Sequence, residues 1–433
     1  MPLRLVVLVS AWLASLAASA QAPMDLRLAA RIFQEARWAS EDDAGALWGK
    51  PLYGPMLFAN PATREVVANQ ADSEGHLQAR DGVWVGKLPP EVGIANTAFS
   101  WAGVRWTMVM WPLIGAPANR MDLVMHECFH RIQKDLGLPA PDQPQANAHL
   151  DTRLGRVWLR LEWLALGEAL LAREDAQERA AIEDALRFRA WRRKLFPEAA
   201  PQEDRMEVHE GLAEYTGVRR MGLGPLSRHN YLSGRLRTAI ATRPSLPMSF
   251  AYESGPAYGL LLDAANQPWQ SEVTPSGSLS ALLAKRHNLV LLDPREDDVM
   301  ARAKRYGGDT VFQEEAQRER VRAEREAAYR RTLVQGPVLE LPLRESNYTF
   351  NPNEVFQLGA DGVVFPHSHL VDAWGVLEVE QGLRLNAPRD RAFIIAPLDP
   401  GKAAGLGWTL TLNPGWKLSP GARKGDYILL KEP

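Results

Sequence analysis

The amino-acid sequence predicts an α+β fold: a mainly helical domain that carries a small N-terminal β-sheet, followed by a small all-β domain. Two patterns support this prediction. Apolar residues recur at helical spacing in several long segments between residues 25 and 333, and short apolar runs alternate with Gly, Pro and Asp turns after residue 334. The 433 residues are 46% hydrophobic and 24% charged, with a net charge of −2. This composition is typical of a folded globular protein and argues against a nucleic-acid binder, which shows a basic excess.

The first twenty residues have the pattern of a signal peptide. Arg4 is followed by an apolar run at residues 5–16 and by the small residues Ala18-Ser19-Ala20. The run is shorter than the ~20 residues that cross a membrane, so we expect cleavage after Ala20 and no transmembrane span in the mature chain. A retained N-terminal anchor is the alternative. The prediction is a periplasmic or secreted protein, whose single cysteine excludes an intramolecular disulfide.

The first elements after this segment are a helix and a group of strands. Residues 25–44 carry an apolar residue at every fourth position, which predicts a helix. Residues 57–111 change to strand-like sequence. Within them, residues 83–85 follow the turn pair at 81–82, and residues 103–111 are rich in Val, Trp, Thr and Met.

Helices dominate the middle of the chain. Asn119 is a candidate N-cap, with Asp122 three positions later, for a helix that Gly137 ends. The apolar spacing of residues 151–196 predicts two long helices.

Two further helices are expected beyond these. Asp204 and Glu207 have the spacing of a capping box for a helix that ends near Gly222. Residues 313–331 form a heavily charged helix with few apolar residues, which indicates a solvated face or a connection between domains.

The motif that carries chemistry is HECFH at residues 126–130, in the middle of a predicted helix. His126 and His130 are four positions apart and project from one face, so both imidazoles can bind one metal ion. Glu127 lies beside that face and can take a proton from a water whose pKa zinc lowers towards ~7. Cys128 points away from the histidines and is expected in the core. Two exposed histidines on an ordinary helix are the alternative.

A catalytic zinc site needs a third protein ligand and keeps one position open. Position 136 would supply a histidine in metzincins, but it is Leu136. The segment EGLAEY at residues 210–215 offers Glu210 as the third ligand. Glu214, one turn further on, can accept the second imidazole N–H of one of the two histidines and fix its tautomer.

Other side chains compete for these roles. Glu162 is flanked by apolar residues, which favours a buried salt bridge with an arginine over a metal bond. Glu207 is expected to cap its own helix. His149 and His209 stand in no recognised ligand spacing, and Tyr252 is a weak candidate for the group that stabilises an oxyanion.

These two motifs resemble those of the gluzincin metallopeptidases, the thermolysin-like class of zinc enzymes. The resemblance covers roughly residues 83–262 and implies a zincin-like fold, a glutamate ligand on a downstream helix and an edge strand that binds extended peptides, for which residues 103–111 are the candidate. The 80 positions between His130 and Glu210 are far more than in thermolysin, and we attribute them to a helical insertion at about residues 150–200. The Gly-x-Met-Glu-Asn segment of the related aminopeptidases is absent, so the resemblance does not imply exopeptidase activity.

The resemblance implies an exported zinc metallopeptidase that hydrolyses peptide or protein substrates, with His126, His130 and Glu210 as ligands and Glu127 as general base. The expected domains are a signal peptide at 1–20, a zincin-like domain at 21–333 and a β-rich accessory domain at 334–433. The accessory domain is expected either to present substrate or to contact another protein, such as a protein of the cell envelope, or the envelope itself. The alternative is a catalytically inactive zinc-binding scaffold or binding protein of the cell envelope.

Overall fold

The computed structural model describes residues 23–141, 147–242, 245–265, 268–290, 293–344, 346–351, 354–399, 401 and 403–431. Within them the fold is α+β, as the sequence predicts. The described residues form two compact units. The first draws on Met1–Gln143, Asp204–Leu232 and Ser254–His287, and the second on Pro144–Glu203, Ser233–Glu253 and Asn288–Pro433. The predicted signal peptide at residues 1–20 lies outside the described residues, and the predicted domain boundaries remain predictions.

The first unit opens with helix α1 (Leu26–Asp43), within one residue of the predicted bounds. The carboxylate of Asp25 caps it by accepting a hydrogen bond from the backbone N–H of Leu28 at 2.9 Å. Six strands follow: β1 (Met56–Ala59), β2 (Glu65–Ala68), β3 (Gln78–Arg80), β4 (Val83–Lys87), β5 (Thr97–Trp101) and β6 (Val104–Met110).

These strands form one sheet in the order β3-β4-β2-β1-β6-β5. Strands β1 and β6 are parallel, and all other neighbours are antiparallel. Asp81 and Gly82 join β3 to β4 with φ angles of 50° and 79°. Positive φ at both positions is the geometry of a two-residue hairpin turn, which explains the turn pair in the sequence.

Strand β6 is an interior strand, so the expectation that residues 103–111 provide the free edge is wrong. β6 pairs with β1 on one side and with β5 on the other. The reason is a tight hairpin at Ala102 and Gly103, whose φ angles of 48° and 73° fold β5 back along β6. The end strand on this side of the described sheet is therefore β5.

Helix α2 (Pro117–Gln133) carries the HECFH motif and begins before the predicted cap. Ala116 is the N-cap and makes no side-chain cap bond, so the cap expected at Asn119 with Asp122 is wrong. Pro117 accounts for the earlier start, because its fixed φ suits the first helical position. Gly137, with a φ of 75°, follows the helix after one short 3-10 turn, as predicted.

The two helices predicted at residues 151–196 are α3 (Arg153–Leu171) and α4 (Asp175–Leu195). They pack against each other in the second unit. Glu162 on α3 is fully buried and accepts from Arg189 at 2.7 Å and from Arg192 at 2.6 Å on α4. The structural salt bridge expected for Glu162 is thus confirmed.

The next helical segment begins earlier than predicted and changes its winding. It consists of α5 (Ala199–Met206), a π-helical segment (Glu207–Gly211) and α6 (Leu212–Arg220). Asp204 lies inside α5, so the capping box of Asp204 and Glu207 is wrong. Glu207 is instead fully buried within the π segment.

Five helices complete the helical part: α7 (Pro225–Thr242), α8 (Ala251–Ala264), α9 (Leu279–Arg286), α10 (Glu296–Ala303) and α11 (Gly308–Arg330), the last continued by a π-helical segment (Arg331–Gln335). Among the residues that the structure describes, no helix is both long and apolar enough to cross a membrane.

The charged helix α11 is only partly solvated. Glu315 on this helix is fully buried and pairs with Arg156 at 2.7 Å and Arg160 at 2.8 Å on α3. The predicted solvated face is therefore wrong for the side that contacts α3, where charged side chains replace the apolar residues of an ordinary helix interface.

The C-terminal part of the second unit is all-β, as predicted. Its strands are β7 (Val338–Pro342), β8 (Asn347–Phe350), β9 (Phe356–Gln357), β10 (Val363–Phe365), β11 (Ser368–Asp372), β12 (Gly375–Val379), β13 (Leu383–Leu385), β14 (Arg391–Ile395), β15 (Ala404–Gly405), β16 (Trp408–Leu412), β17 (Trp416–Pro420) and β18 (Tyr427–Lys431). They form a seven-stranded sheet in the order β17-β18-β7-β14-β13-β10-β9 and a five-stranded sheet in the order β15-β16-β12-β11-β8. Alternating residues of both sheets, together with Trp374 from the turn between β11 and β12, build one buried cluster that includes Leu341, Leu370 and Ile394.

Candidate metal centre

The two histidines of the HECFH motif face each other across one turn of α2. Their Nε2 atoms are 3.1 Å apart, and their ring centroids are 4.9 Å apart. Helix α2 contacts β5, β6 and α6, so the histidines are carried by a packed element of the first unit. The spacing of four residues places the rings together, as the sequence predicts.

Glu210 completes a triangle with these histidines. Its Oε2 atom lies 3.5 Å from Nε2 of His126 and 3.5 Å from Nε2 of His130. Donors at 2.0–2.1 Å around a tetrahedral zinc ion are roughly 3.3 Å from one another. The three observed distances bracket that value, so His126, His130 and Glu210 have the donor types and the spacing for one metal ion.

The other nitrogen of His126 is held by Glu214. The Nδ1 atom of His126 is 2.9 Å from Oε2 of Glu214, which lies one turn beyond Glu210. A carboxylate accepts only, so Nδ1 carries a proton, and Nε2 is the atom directed at His130 and Glu210. The structure thus brings together the pair that the sequence proposed, with His126 as the histidine that Glu214 contacts.

Gln133 holds the Nδ1 atom of His130 by a hydrogen bond, as Glu214 holds that of His126. Its Oε1 atom accepts from Nδ1 of His130 at 2.8 Å, while its amide nitrogen donates to the carbonyl oxygens of Val208 at 3.3 Å and His209 at 3.1 Å. The two carbonyl groups fix which end of the amide faces the imidazole. His130 therefore also directs its Nε2 atom towards His126 and Glu210.

The close approach of these groups favours a bound proton or metal ion between them. Two imidazole lone pairs and a carboxylate oxygen converge, and they repel one another unless a proton or a metal ion lies between them. Burial by itself would lower the pKa of His126, but the hydrogen bonds to Glu210 and Glu214 raise that pKa well above its usual value. Burial would raise the pKa of Glu210, but the charge of His130 and the hydrogen bonds from His126 and His130 hold it well below the usual value.

Glu127 lies beside this group on α2 and is buried. Its Oε2 atom has no hydrogen-bond partner among the described residues. Burial raises the pKa of Glu127, against the charges of His126 and His130. A buried carboxylate oxygen without a partner, beside a cluster of metal-type donors, is available to a water molecule or to a substrate.

Close backbone contacts fix the segment that carries Glu210. A Cβ atom on Gly255 would lie only 2.2 Å from the Cα atom of Gly211, next to Glu210 in the π segment. A Cβ on Gly217 of α6 would lie 2.3 Å from a carboxylate oxygen of Asp122 on α2. Glycine at these positions lets α6 and α8 approach their neighbours closely.

The sequence reasoning missed Gln133 and dismissed His209. The Nε2 atom of His209 lies 3.3 Å from Oε1 of Glu210, and its ring is 5.1 Å from that of His130. Its Nδ1 atom is buried without a hydrogen-bond partner among the described residues. The available signals were the spacing of three between His130 and Gln133 on one helix face, and the position of His209 directly before Glu210.

Cys128 and His149 have other roles. Cys128 is buried as expected, and burial raises the pKa of its thiol to about 12. In the second unit, the Nε2 atom of His149 lies 2.8 Å from Glu203, which also pairs with Arg192. His149 therefore belongs to a buried ion-pair network.

Comparison of the chain with protein-family models, curated proteins and solved structures finds no match.

Proposed function

We propose that the protein is an exported zinc-dependent hydrolase of peptide bonds, of the gluzincin type. His126, His130 and Glu210 are its proposed zinc ligands. The observation that supports this most strongly is the convergence of two Nε2 atoms and one carboxylate oxygen, beside the unpartnered carboxylate oxygen of Glu127. A structural site has no use for a base in that place.

The chain's own residues have separate roles in this proposal. Zinc in this triangle supplies a Lewis acid that lowers the pKa of a coordinated water and polarises a carbonyl group. Glu127 takes the proton from the attacking water and passes it to the leaving nitrogen. Glu214 and Gln133 hold the imidazoles by their Nδ1 protons, which keeps both Nε2 atoms aimed at one point.

A peptide substrate is supported by strand β5. It ends the six-stranded sheet, and it contacts α2, the helix that carries both histidines. An end strand can pair with an extended chain through its backbone N–H and C=O groups. This proposal moves the substrate strand from residues 103–111 to Thr97–Trp101.

The location of the protein and the role of its β-rich domain are also part of the proposed function. We infer export to the periplasm or the exterior from the sequence of residues 1–20, and we assign the β-rich domain after residue 334 a role in contact with a protein of the cell envelope.

The test is metal content together with a single isosteric substitution. The purified mature chain should hold about one zinc ion, measured by elemental analysis, and should cleave peptides in a fluorogenic library. Glu127→Gln should keep the zinc and lose hydrolysis by at least ~100-fold, because the proton acceptor is gone. Glu91→Gln, at an exposed position of the first unit, is the matched control and should behave like the parent. Parental hydrolysis by Glu127→Gln would contradict the mechanism.

His209 favours one competing function, an inactive zinc-binding scaffold. If its imidazole became a fourth ligand beside His130, the site would be closed and structural. Cobalt substitution separates the two functions. An open site takes up a water or an added inhibitor such as a hydroxamate, with a change in the visible absorption of the cobalt ion. A closed site with four protein ligands shows no such change, and His209→Gln would then alter its spectrum.

A further inference from the structure

A small cavity of about 150 Å³ lies in the second unit. It is lined by residues between 318 and 325 of α11, by Asp151 at the end of the short 3-10 turn Ala148–Asp151, by Arg156 of α3, by Ser245 after α7, and by residues 354–356 at the start of β9. A space of this size holds a molecule of roughly six to eight non-hydrogen atoms. The walls are formed by residues of both the helical and the β part of this unit, none of which takes part in the candidate metal centre.

One wall of the cavity is cationic. Arg318, Arg322 and Arg325 are spaced by four and three residues, so they share one face of α11. The guanidinium of Arg322 stacks over the ring of Phe356 at 4.4 Å, and within the described part of the chain it makes no hydrogen bond. Arg325 also lies over Phe356, at 5.9 Å, and its Nε donates to the hydroxyl of Tyr329 at 3.3 Å. Contact with Phe356 restrains the guanidinium of Arg322, Arg325 is exposed beside it, and N–H donors of both are available to a planar carboxylate.

Hydrogen-bond acceptors also line the cavity. Asp151 and Ser245 both line the cavity and are 6% and 5% exposed. The Oδ2 atom of Asp151 and the Oγ atom of Ser245 are buried, and neither has a hydrogen-bond partner among the described residues. Burial raises the pKa of Asp151 to about 6, against the charges of Arg322 and Arg156, so the carboxylate is largely ionised at neutral pH. Buried polar atoms in folded proteins are normally satisfied by a hydrogen-bond partner. The Oδ2 atom of Asp151 and the Oγ atom of Ser245 are therefore positioned to accept from a bound donor.

We propose that this cavity binds a small free α-amino acid as its zwitterion. The carboxylate of the ligand accepts hydrogen bonds from Arg322 and Arg325, and its ammonium group donates to Asp151 Oδ2 and Ser245 Oγ. A short side chain rests against Phe356. A simple anion satisfies only the arginines and would meet the charge of Asp151, whereas a simple amine satisfies only the acceptors. The proposal does not depend on the metal centre.

The test is calorimetric titration of the mature full-length chain with L-alanine. Propionate, which lacks the ammonium group, and ethylamine, which lacks the carboxylate, are the matched probes, and inorganic phosphate is the probe for an anion site. We expect saturable binding of L-alanine and at least ~10-fold weaker binding of each of the three, because each leaves one charged wall unpaired. Equal binding of propionate or phosphate would overturn the proposal, as would the absence of saturable heat with L-alanine up to ~10 mM.

Variants then assign the two walls. Arg322→Gln and Ser245→Ala should each weaken L-alanine binding, by about 10-fold or more for the loss of the charged donor and by less for the loss of the hydroxyl. Arg320→Gln changes the same charge at an exposed position of the same helix and should bind like the parent. Folding of each variant is checked by circular dichroism. If Arg322→Gln is folded and binds L-alanine as the parent does, the assignment is wrong.

Discussion

Charge balance within a few residues explains the composition of the candidate metal centre. Glu127, Glu210 and Glu214 place three carboxylates around two imidazoles in a buried region. With neutral imidazoles and ionised carboxylates the group would carry three negative charges, which a buried site does not sustain. Either two protons on the histidines or one divalent cation reduces this negative charge by two. The same side chains therefore suit either two protons or one metal ion, and the two compete.

The ligand role of Glu210, a partly buried glutamate, is tested by comparison with the fully buried Glu162, which pairs with arginines. Glu210→Ala should weaken zinc binding by more than ~100-fold, because a coordinating oxygen is lost, and should leave the helical structure intact. Glu162→Ala should keep one zinc ion per chain but lower the free energy of unfolding by about 3–5 kcal/mol, because Arg189 and Arg192 lose a buried partner. Competition with a chromophoric chelator measures the first effect and urea unfolding the second. Equal zinc affinity of the two variants would contradict the assignment of Glu210.

At the scale of elements, the π-helical segment positions Glu210, the proposed third ligand. The backbone N–H of Leu212 bonds to the carbonyl of Glu207, five residues earlier, so the helix widens where Glu210 stands. Such wide turns occur at functional sites because they re-aim one side chain without breaking the helix. Glu214, in the regular helix α6, then reaches the other nitrogen of His126.

The close contact between Gly211 and Gly255 should be required to hold Glu210 in its position in the π-helical segment. Gly255→Ala places a methyl group against the backbone of the π segment, so we expect a loss of about 1–3 kcal/mol in stability from overpacking and weaker zinc binding as Glu210 moves. Gly234→Ala is the control, because its Cβ meets nothing within 4 Å inside α7. That variant should be unchanged or more stable by up to ~1 kcal/mol. Thermal unfolding and zinc titration of both variants measure the difference, and parental zinc affinity in Gly255→Ala would show that the contact does not position Glu210.

The elements and the ligand triad were accessible from the sequence because both rest on fixed helical spacings. His126 with His130, and Glu210 with Glu214, are pairs of one turn each, and periodicity was enough to find them. Gln133 was not found, since its role depends on carbonyl groups that the fold brings from the π segment. The caps at Asn119 and Asp204 failed for a local reason: each residue can cap a helix, but Pro117 or upstream helical residues had already started it.

For the first unit as a whole, the metal-free and the zinc-bound protein should respond to pH in opposite directions. In the metal-free protein the pKa values of His126 and His130 are raised above the usual 6.5: against the effect of burial, Glu210 raises both, and Glu214 also raises that of His126. This stabilisation is complete below pH 6.5 and is lost as pH rises through the raised values, at up to about 1.4 kcal/mol per pH unit for each proton released. Zinc needs neutral imidazoles, so its binding strengthens as pH rises and stabilises the folded state by mass action.

Hydrogen exchange of the backbone amides of α2 measures this pH dependence of stability at the candidate metal centre. Between pH 6.5 and 8.5, after correction for the intrinsic exchange rate, protection of α2 should fall in protein stripped with a chelator and should hold or rise in the zinc-loaded protein. His130→Gln should weaken both trends, because it removes one of the two titrating ligands. His76→Gln, an exposed histidine of the same unit, should preserve them. Parallel slopes in the two forms would mean that protons and metal do not compete for these imidazoles, and the triangle of His126, His130 and Glu210 would then not be a metal site.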